Sequence, residues 1–152
     1  MTTLVIDTNI FTLTDKPDDP GWQESLDLME WIGRERFCNY ILAVDEEGLI
    51  EEEYEKKAKE GYPNSLGSFV LAKFAERDKI VHVQGRSYPC FRDLPPELDR
   101  HDRAFLKVAC QTPEHILISQ DSRFYENNSC LNRLKSETGL KIYRVQEAIA
   151  NI

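Results

Sequence analysis

The chain reads as an α/β protein: a three-layer α/β/α sandwich around a central, mainly parallel sheet, forming a single domain over residues 1–152. Two observations predict this class. Five short runs are almost continuously apolar, as strands covered on both faces are. Helical patterns alternate with them, as they do where parallel strands are joined by crossovers.

The expected strands are Thr3–Ile6, Tyr40–Val44, Ile80–Val83, Ile116–Ser119 and Lys141–Val145. Between them the 3.6-residue apolar period predicts helices over Trp22–Arg36, Leu49–Lys59, Ser65–Arg77, His101–Gln111 and Ser129–Thr138, with a short one from Gln146. Turn-forming residues support these limits. Pro17, Pro20 and Gly21 precede the first helix, Gly61-Tyr62-Pro63-Asn64 separates the second from the third, and Gly139 ends the fifth. The longest irregular stretch, Gln84–Asp99, carries Arg86, Tyr88, Phe91 and Arg92, and loops of that length are often functional.

Composition narrows the function. With 41% hydrophobic residues the chain can bury a core, and no apolar stretch approaches the roughly 20 residues that a membrane span needs. The balance of 27 Asp and Glu against 19 Lys and Arg, a formal net charge of −8, disfavours non-specific attraction to nucleic acid. A polyanionic substrate must therefore meet a local positive patch or a metal ion. Cys38, Cys90, Cys110 and Cys130 form no Cys-x-x-Cys pair and have no histidine at ligand spacing, so reduced thiols and a cytoplasmic location are expected.

Four separated carboxylates stand out. Asp7 follows Leu4-Val5-Ile6 and is followed by Thr8 and Asn9; Asp121 follows the run from Ile116 to Gln120 in the same arrangement. Acids at the ends of strands lie where α/β proteins bind and react, although either could also serve as a turn or helix cap. In the helix from Leu49, the residues Leu49, Ile50, Tyr54 and Ala58 define one apolar arc, and Glu53 falls inside it while Glu52 and Glu55 point away. Asp102 shares a face with Phe105, Leu106 and Ala109 at a helix start, where the dipole favours an anion; Asp99, one turn earlier, is its rival.

Two unit charges ~4 Å apart repel by roughly 4 kcal/mol at an effective dielectric of 20. Gathering four carboxylates therefore calls for a counter-ion, and all-oxygen donors favour Mg²⁺ or Mn²⁺ over zinc.

Taken together, the segments Leu4–Asn9 (LVIDTN), Val44–Tyr54 (VDEEGLIEEEY), Asp102–Ala109 (DRAFLKVA) and Leu117–Phe124 (LISQDSRF) resemble, in order, the four motifs of the PIN domain family of metal-dependent nucleases. Each motif is weak alone, and four in order across nearly the whole chain are specific. The resemblance implies a parallel α/β/α sandwich in which Asp7, Glu53, Asp102 and Asp121 are catalytic metal ligands, supported by Asn9 and Ser119. It further implies an endoribonuclease that uses Mg²⁺ or Mn²⁺ and leaves 5′-phosphate and 3′-hydroxyl ends. Many relatives carry another acid two residues after the fourth motif's aspartate. Here that position is Arg123, which leaves one ion and two ions both open.

Candidate RNA contacts are Arg86, Arg92, Arg100, Arg103 and Arg123, with Tyr88 and Phe91 available for base stacking or for pinning the loop to the core. A small PIN protein resembles the toxin of a toxin–antitoxin pair, implying an antitoxin or other protein partner. A homodimer is expected, with the helices from Trp22 and Ser65 as the first candidate surfaces. Two other readings compete: a noncatalytic PIN-like module that binds RNA or protein, and a metal-dependent phosphatase. The phosphatase reading suffers because the second aspartate such enzymes need falls at Asn9.

Overall fold

The middle strand of the sheet is the first one in the chain. A computed structural model describes residues 1–34, 37–60 and 65–152. It holds five strands, β1 (Thr2–Ile6), β2 (Tyr40–Asp45), β3 (Ile80–Val83), β4 (Ile116–Ile118) and β5 (Lys141–Tyr143), in the order β3-β2-β1-β4-β5. Every neighbouring pair is parallel, with Leu4 beside Leu42 and Ile6 beside Ile118.

Leu4, Val5, Ile6, Leu42, Val44, Leu117 and Ile118 are fully buried, as central parallel strands must be when helices cover both faces. Among the described residues seven helices do so: α1 (Thr8–Thr12), α2 (Trp22–Gly33), α3 (Leu49–Glu60), α4 (Leu66–Glu76), α5 (Arg100–Ala109), α6 (Ser129–Thr138) and α7 (Val145–Asn151). Helix α2 packs on α4 and α7, whereas α3 packs on α5 and α1. The result is the α/β/α sandwich expected from the apolar runs. Among the described residues no helix is long and apolar enough to cross a membrane.

Local chemistry accounts for most element limits. Ser65 caps α4 by accepting from Ser68 N at 3.1 Å, Asn128 caps α6 by accepting from Cys130 N and Leu131 N, and Gly139 closes α6 at φ +80°. The turn residues 61–64 and the expected end of the first helix at 35–36 lie outside the described residues.

Three expectations change. The strand expected over Lys141–Val145 ends at Tyr143, because Arg144 becomes the N-cap of α7 and Val145 N donates to Gln120 Oε1 instead of a ladder partner. Helix α1 was not anticipated, since five residues show no period. The thiols are not all reduced: Cys90, in a 3-10 turn over Pro89–Asp93, is disulfide-bonded to Cys130 of α6. The fold supplies the reason, bringing that turn against α6 with the two Cα atoms 5.2 Å apart. The long stretch after β3 is thereby ordered and tethered.

Candidate metal centre

In a parallel sheet, a crevice opens at the carboxyl edge where the chain reverses its direction of winding. Here that point lies between β1 and β4. From β1 the chain builds outward through β2 and β3, then returns to the other side of β1 with β4 and β5. Asp7 follows β1 and Asp121 lies just beyond β4, so both acids stand at this crevice.

Asp7 is 3% exposed and its backbone N–H continues the ladder, donating to Ile118 O at 3.0 Å. Ser119 Oγ donates to Asp7 Oδ2 at 2.7 Å and accepts from Asp121 N at 3.0 Å, so one hydroxyl joins the two strand-end acids. Burial pushes the Asp7 pKa from an ordinary 3.8 to about 7; the Ser119 bond opposes this, while the charges of Asp102, Asp121 and Glu53 add to it.

Helix α3 brings Glu53 to the same edge. Asp45, the last residue of β2, accepts from Leu49 N at 3.0 Å and Ile50 N at 2.8 Å and so anchors the first turn. Tyr54 then donates its hydroxyl to Ile6 O at 2.5 Å, pinning the helix beside the residue that precedes Asp7. Burial raises the Glu53 pKa, and His101 is the main opposing charge. Glu53 Oε2 and Thr8 Oγ1 are both buried with no other hydrogen-bond partner, and the Thr8 hydroxyl lies beside Glu53, where it works against the rise in the Glu53 pKa.

Helix α5 separates its two acids by role. Asp99 is the N-cap, accepting from His101 N at 2.9 Å and Asp102 N at 3.0 Å. Asp102 completes the capping box by accepting from Asp99 N at 3.1 Å and is itself buried toward the site. Burial raises the Asp102 pKa to about 6, with the Asp99 and Glu53 charges adding to the rise and Arg123 opposing it.

Arg123 stands among these acids. Its Nε lies 3.0 Å from each Asp121 oxygen, its Nη1 donates to Glu97 O at 2.6 Å, and its Nη2 is 3.5 Å from Asp102 Oδ2. Burial works to raise the Asp121 pKa, but the Arg123 bonds and charge outweigh it and hold the carboxyl below its ordinary value.

The other expected site residues are placed differently. Asn9 is exposed, and its backbone carbonyl accepts from Thr12 Oγ1 at 3.3 Å. Arg103 donates from Nε to Leu98 O at 2.9 Å, which engages it with the chain entering α5. Arg86 lies over the Tyr88 ring at 5.8 Å, and Arg92 is exposed beside Cys90 in the 3-10 turn. Phe91 is 5% exposed and Tyr88 stacks beside it at 5.8 Å, so Phe91 belongs to the core and pins the loop. Tyr125, unmarked by any sequence pattern, donates to Ser119 O at 2.6 Å beneath the Arg144 guanidinium.

The donor chemistry fits a hard divalent cation: four carboxylates whose charges are felt by one another, with an orphaned buried oxygen on Glu53. Among the described residues, no three His, Cys, Asp or Glu side chains are in position to hold one ion together. Compared with known proteins, the chain matches no family model, no curated protein and no solved structure.

Proposed function

We propose that this chain is a metal-dependent endoribonuclease of the PIN type, hydrolysing RNA phosphodiester bonds with Mg²⁺ or Mn²⁺. The observation that carries this reading is Asp7: an acid 3% exposed, its pKa raised to about 7, surrounded by three other carboxylates at the switch point of the sheet. A core position that only shaped the fold would be occupied at less cost by Asn or Ser.

A divalent cation, when bound, would lower the pKa of water and neutralise charge developing on the phosphoryl oxygens. On this reading Asp7, Glu53, Asp102 and Asp121 are its candidate ligands, although no three of them stand in position to share one ion in this structure. Ser119 keeps Asp7 oriented through its 2.7 Å bond, and the Asp99 backbone does the same for Asp102. The buried Glu53 Oε2 and the raised Glu53 pKa support a role for this residue in accepting a proton from water. RNA approach relies on exposed Arg86 and Arg92, because the chain's overall charge of −8 opposes it.

The same reading includes a cytoplasmic toxin paired with an antitoxin or another protein partner, and a homodimer. Phe69 on α4, 56% exposed, supports a contact surface on that helix.

One observation favours a second reading, a noncatalytic PIN-like module that binds RNA or protein. Arg123 already neutralises Asp121, as an internal ion pair would in a domain without a metal. Cleavage of RNA with Mg²⁺ or Mn²⁺, with and without EDTA, separates the two. Activity that EDTA and Asp7→Asn both abolish supports the nuclease; no cleavage together with retained RNA binding supports the module.

A further inference from the structure

We propose that the end of the molecule where α2 and α4 meet is a second binding site, which takes one nucleotide of single-stranded RNA, base and phosphate together; the choice of RNA rests on the reading above. Helix α2 ends at Gly33 and α4 at Glu76, each just ahead of the strand it feeds, so the place lies at the amino edge of the sheet. Asp7 and Asp121 stand at the opposite, carboxyl edge.

A hollow of about 80 Å³ opens there between the two helices. Arg34, Lys73 and Arg77 line it with Phe37, Phe69 and Val70, and among the described residues no carboxylate does. Phe37 and Val70 are buried, so the hollow is built on the core. In a chain of net charge −8, three cations around one hollow supply the local positive patch that a polyanion needs. Arg34 is paired with Glu30 at 3.3 Å, but both side chains are largely exposed, and a surface pair of that kind is weak enough to yield to a phosphate. Lys73 and Arg77 are in no ion pair among the described residues. They lie over rings instead, Lys73 Nζ at 5.3 Å from the Phe69 centroid and Arg77 Cζ at 5.6 Å from that of Phe37.

Phe69, Lys73 and Arg77 follow one another at four-residue spacing and so form one stripe along α4. The dipole at the end of that helix accounts for cations in its last turn. It does not account for Phe69, which is 56% exposed, more than any other aromatic side chain among the described residues. A base stacked on that ring removes its surface from water, and only a single strand offers an unstacked base with a phosphate beside it.

The test is the affinity for a short, unstructured, fluorescently labelled RNA, read by anisotropy in EDTA so that no strand is cut. Phe69→Ala weakens binding fivefold or more, Phe69→Trp retains it, and Lys135→Gln, on the exposed side of α6, leaves it unchanged. Lys73→Gln and Arg77→Gln each lower the slope of log affinity against log salt by about 0.7, the share of one phosphate contact on a single strand. A duplex of the same sequence binds at least fivefold more weakly and is indifferent to Phe69→Ala. Wild-type affinity in Phe69→Ala overturns the site and leaves cleavage at the carboxyl edge standing. Loss of binding in Phe69→Ala, in a protein that cuts no RNA with Mg²⁺ or Mn²⁺, keeps the site and overturns the nuclease reading. A dimeric mass that Phe69→Ala halves, with RNA affinity unchanged, gives this face to a second copy of the chain and overturns the site. The Phe69 ring is exposed, so its substitution leaves the fold intact, which circular dichroism checks.

Discussion

Ser119 and Asp7, 112 residues apart in the chain, share a 2.7 Å hydrogen bond across the seam between β4 and β1. The same hydroxyl accepts from Asp121 N, so a single serine sets both the orientation of one strand-end acid and the path of the chain to the other. Ser119→Ala removes a bond that lowers the Asp7 pKa, so that pKa climbs further above about 7. Stability falls by about 1–3 kcal/mol, the usual cost of leaving a buried polar group unpaired. Urea unfolding and the pH profile of RNA cleavage check the two halves, and a profile unshifted toward alkaline pH would contradict the first.

Asp7→Asn should stabilise the protein while abolishing metal-dependent cleavage. Below pH 3.8 Asp7 is neutral folded and unfolded; between 3.8 and about 7 only the unfolded chain ionises it; above about 7 both do. The cost to folding therefore grows across that window and is complete above it, at roughly 4 kcal/mol as an upper figure. Asn keeps an oxygen for Ser119 and carries no charge. Denaturant midpoints should show a gain at pH 8 that shrinks toward zero near pH 4.

Metal binding should weaken as the solution is acidified. Asp7, raised to about 7, and Asp102, raised to about 6, must lose protons before they can serve as ligands. Between pH 8 and pH 6 the apparent Kd for Mn²⁺ should rise about tenfold or more. Calorimetric titration at the two pH values, with proton release read from buffers of different ionisation enthalpy, tests this; a pH-independent Kd would count against both acids.

Reduction of Cys90–Cys130 should loosen the segment that carries Arg92 and Glu97. The bridge spans a sequence separation of 40, for which chain entropy predicts about 3–4 kcal/mol. Thermal melts with and without dithiothreitol should differ, and the Cys90→Ser variant should melt like the reduced protein. Mass spectrometry after alkylation gives the thiol count directly.

Gly67→Ala should be among the most damaging substitutions outside the site. A Cβ there would lie 1.9 Å from the Phe11 carbonyl oxygen and 2.8 Å from Thr14 Oγ1, where α4 crosses the end of α1. Neither helix can yield without moving backbone, so a loss of about 3 kcal/mol or more is expected in chemical denaturation.

Strand β3 and helix α6 fall on their expected limits, and Glu53 could be singled out from its neighbours because Ile50 and Tyr54 mark the buried arc around it. Helix α1 was invisible because five residues, three of them buried, display no repeat. Asp99 and Asp102 could not be separated from spacing alone, since a cap and an inward-facing acid occupy the same turn; the capping box assigns them. The Arg123–Asp121 clasp left no sequence signal, because residues two apart meet only when a 3-10 turn brings them together. The bridging role of Ser119 depends equally on strand pairing that no local pattern encodes.

The placement of β4 carries a consequence for the order in which the molecule comes into being. Asp7, Glu53 and Asp102 are all present before β4 in the chain, yet the hydroxyl that orients Asp7 belongs to Ser119, beyond it. Pairing over such long sequence separations is entropically slow. A growing chain therefore carries three of its four acids without an oriented cluster, and the acidic edge is assembled only when β4 docks against β1.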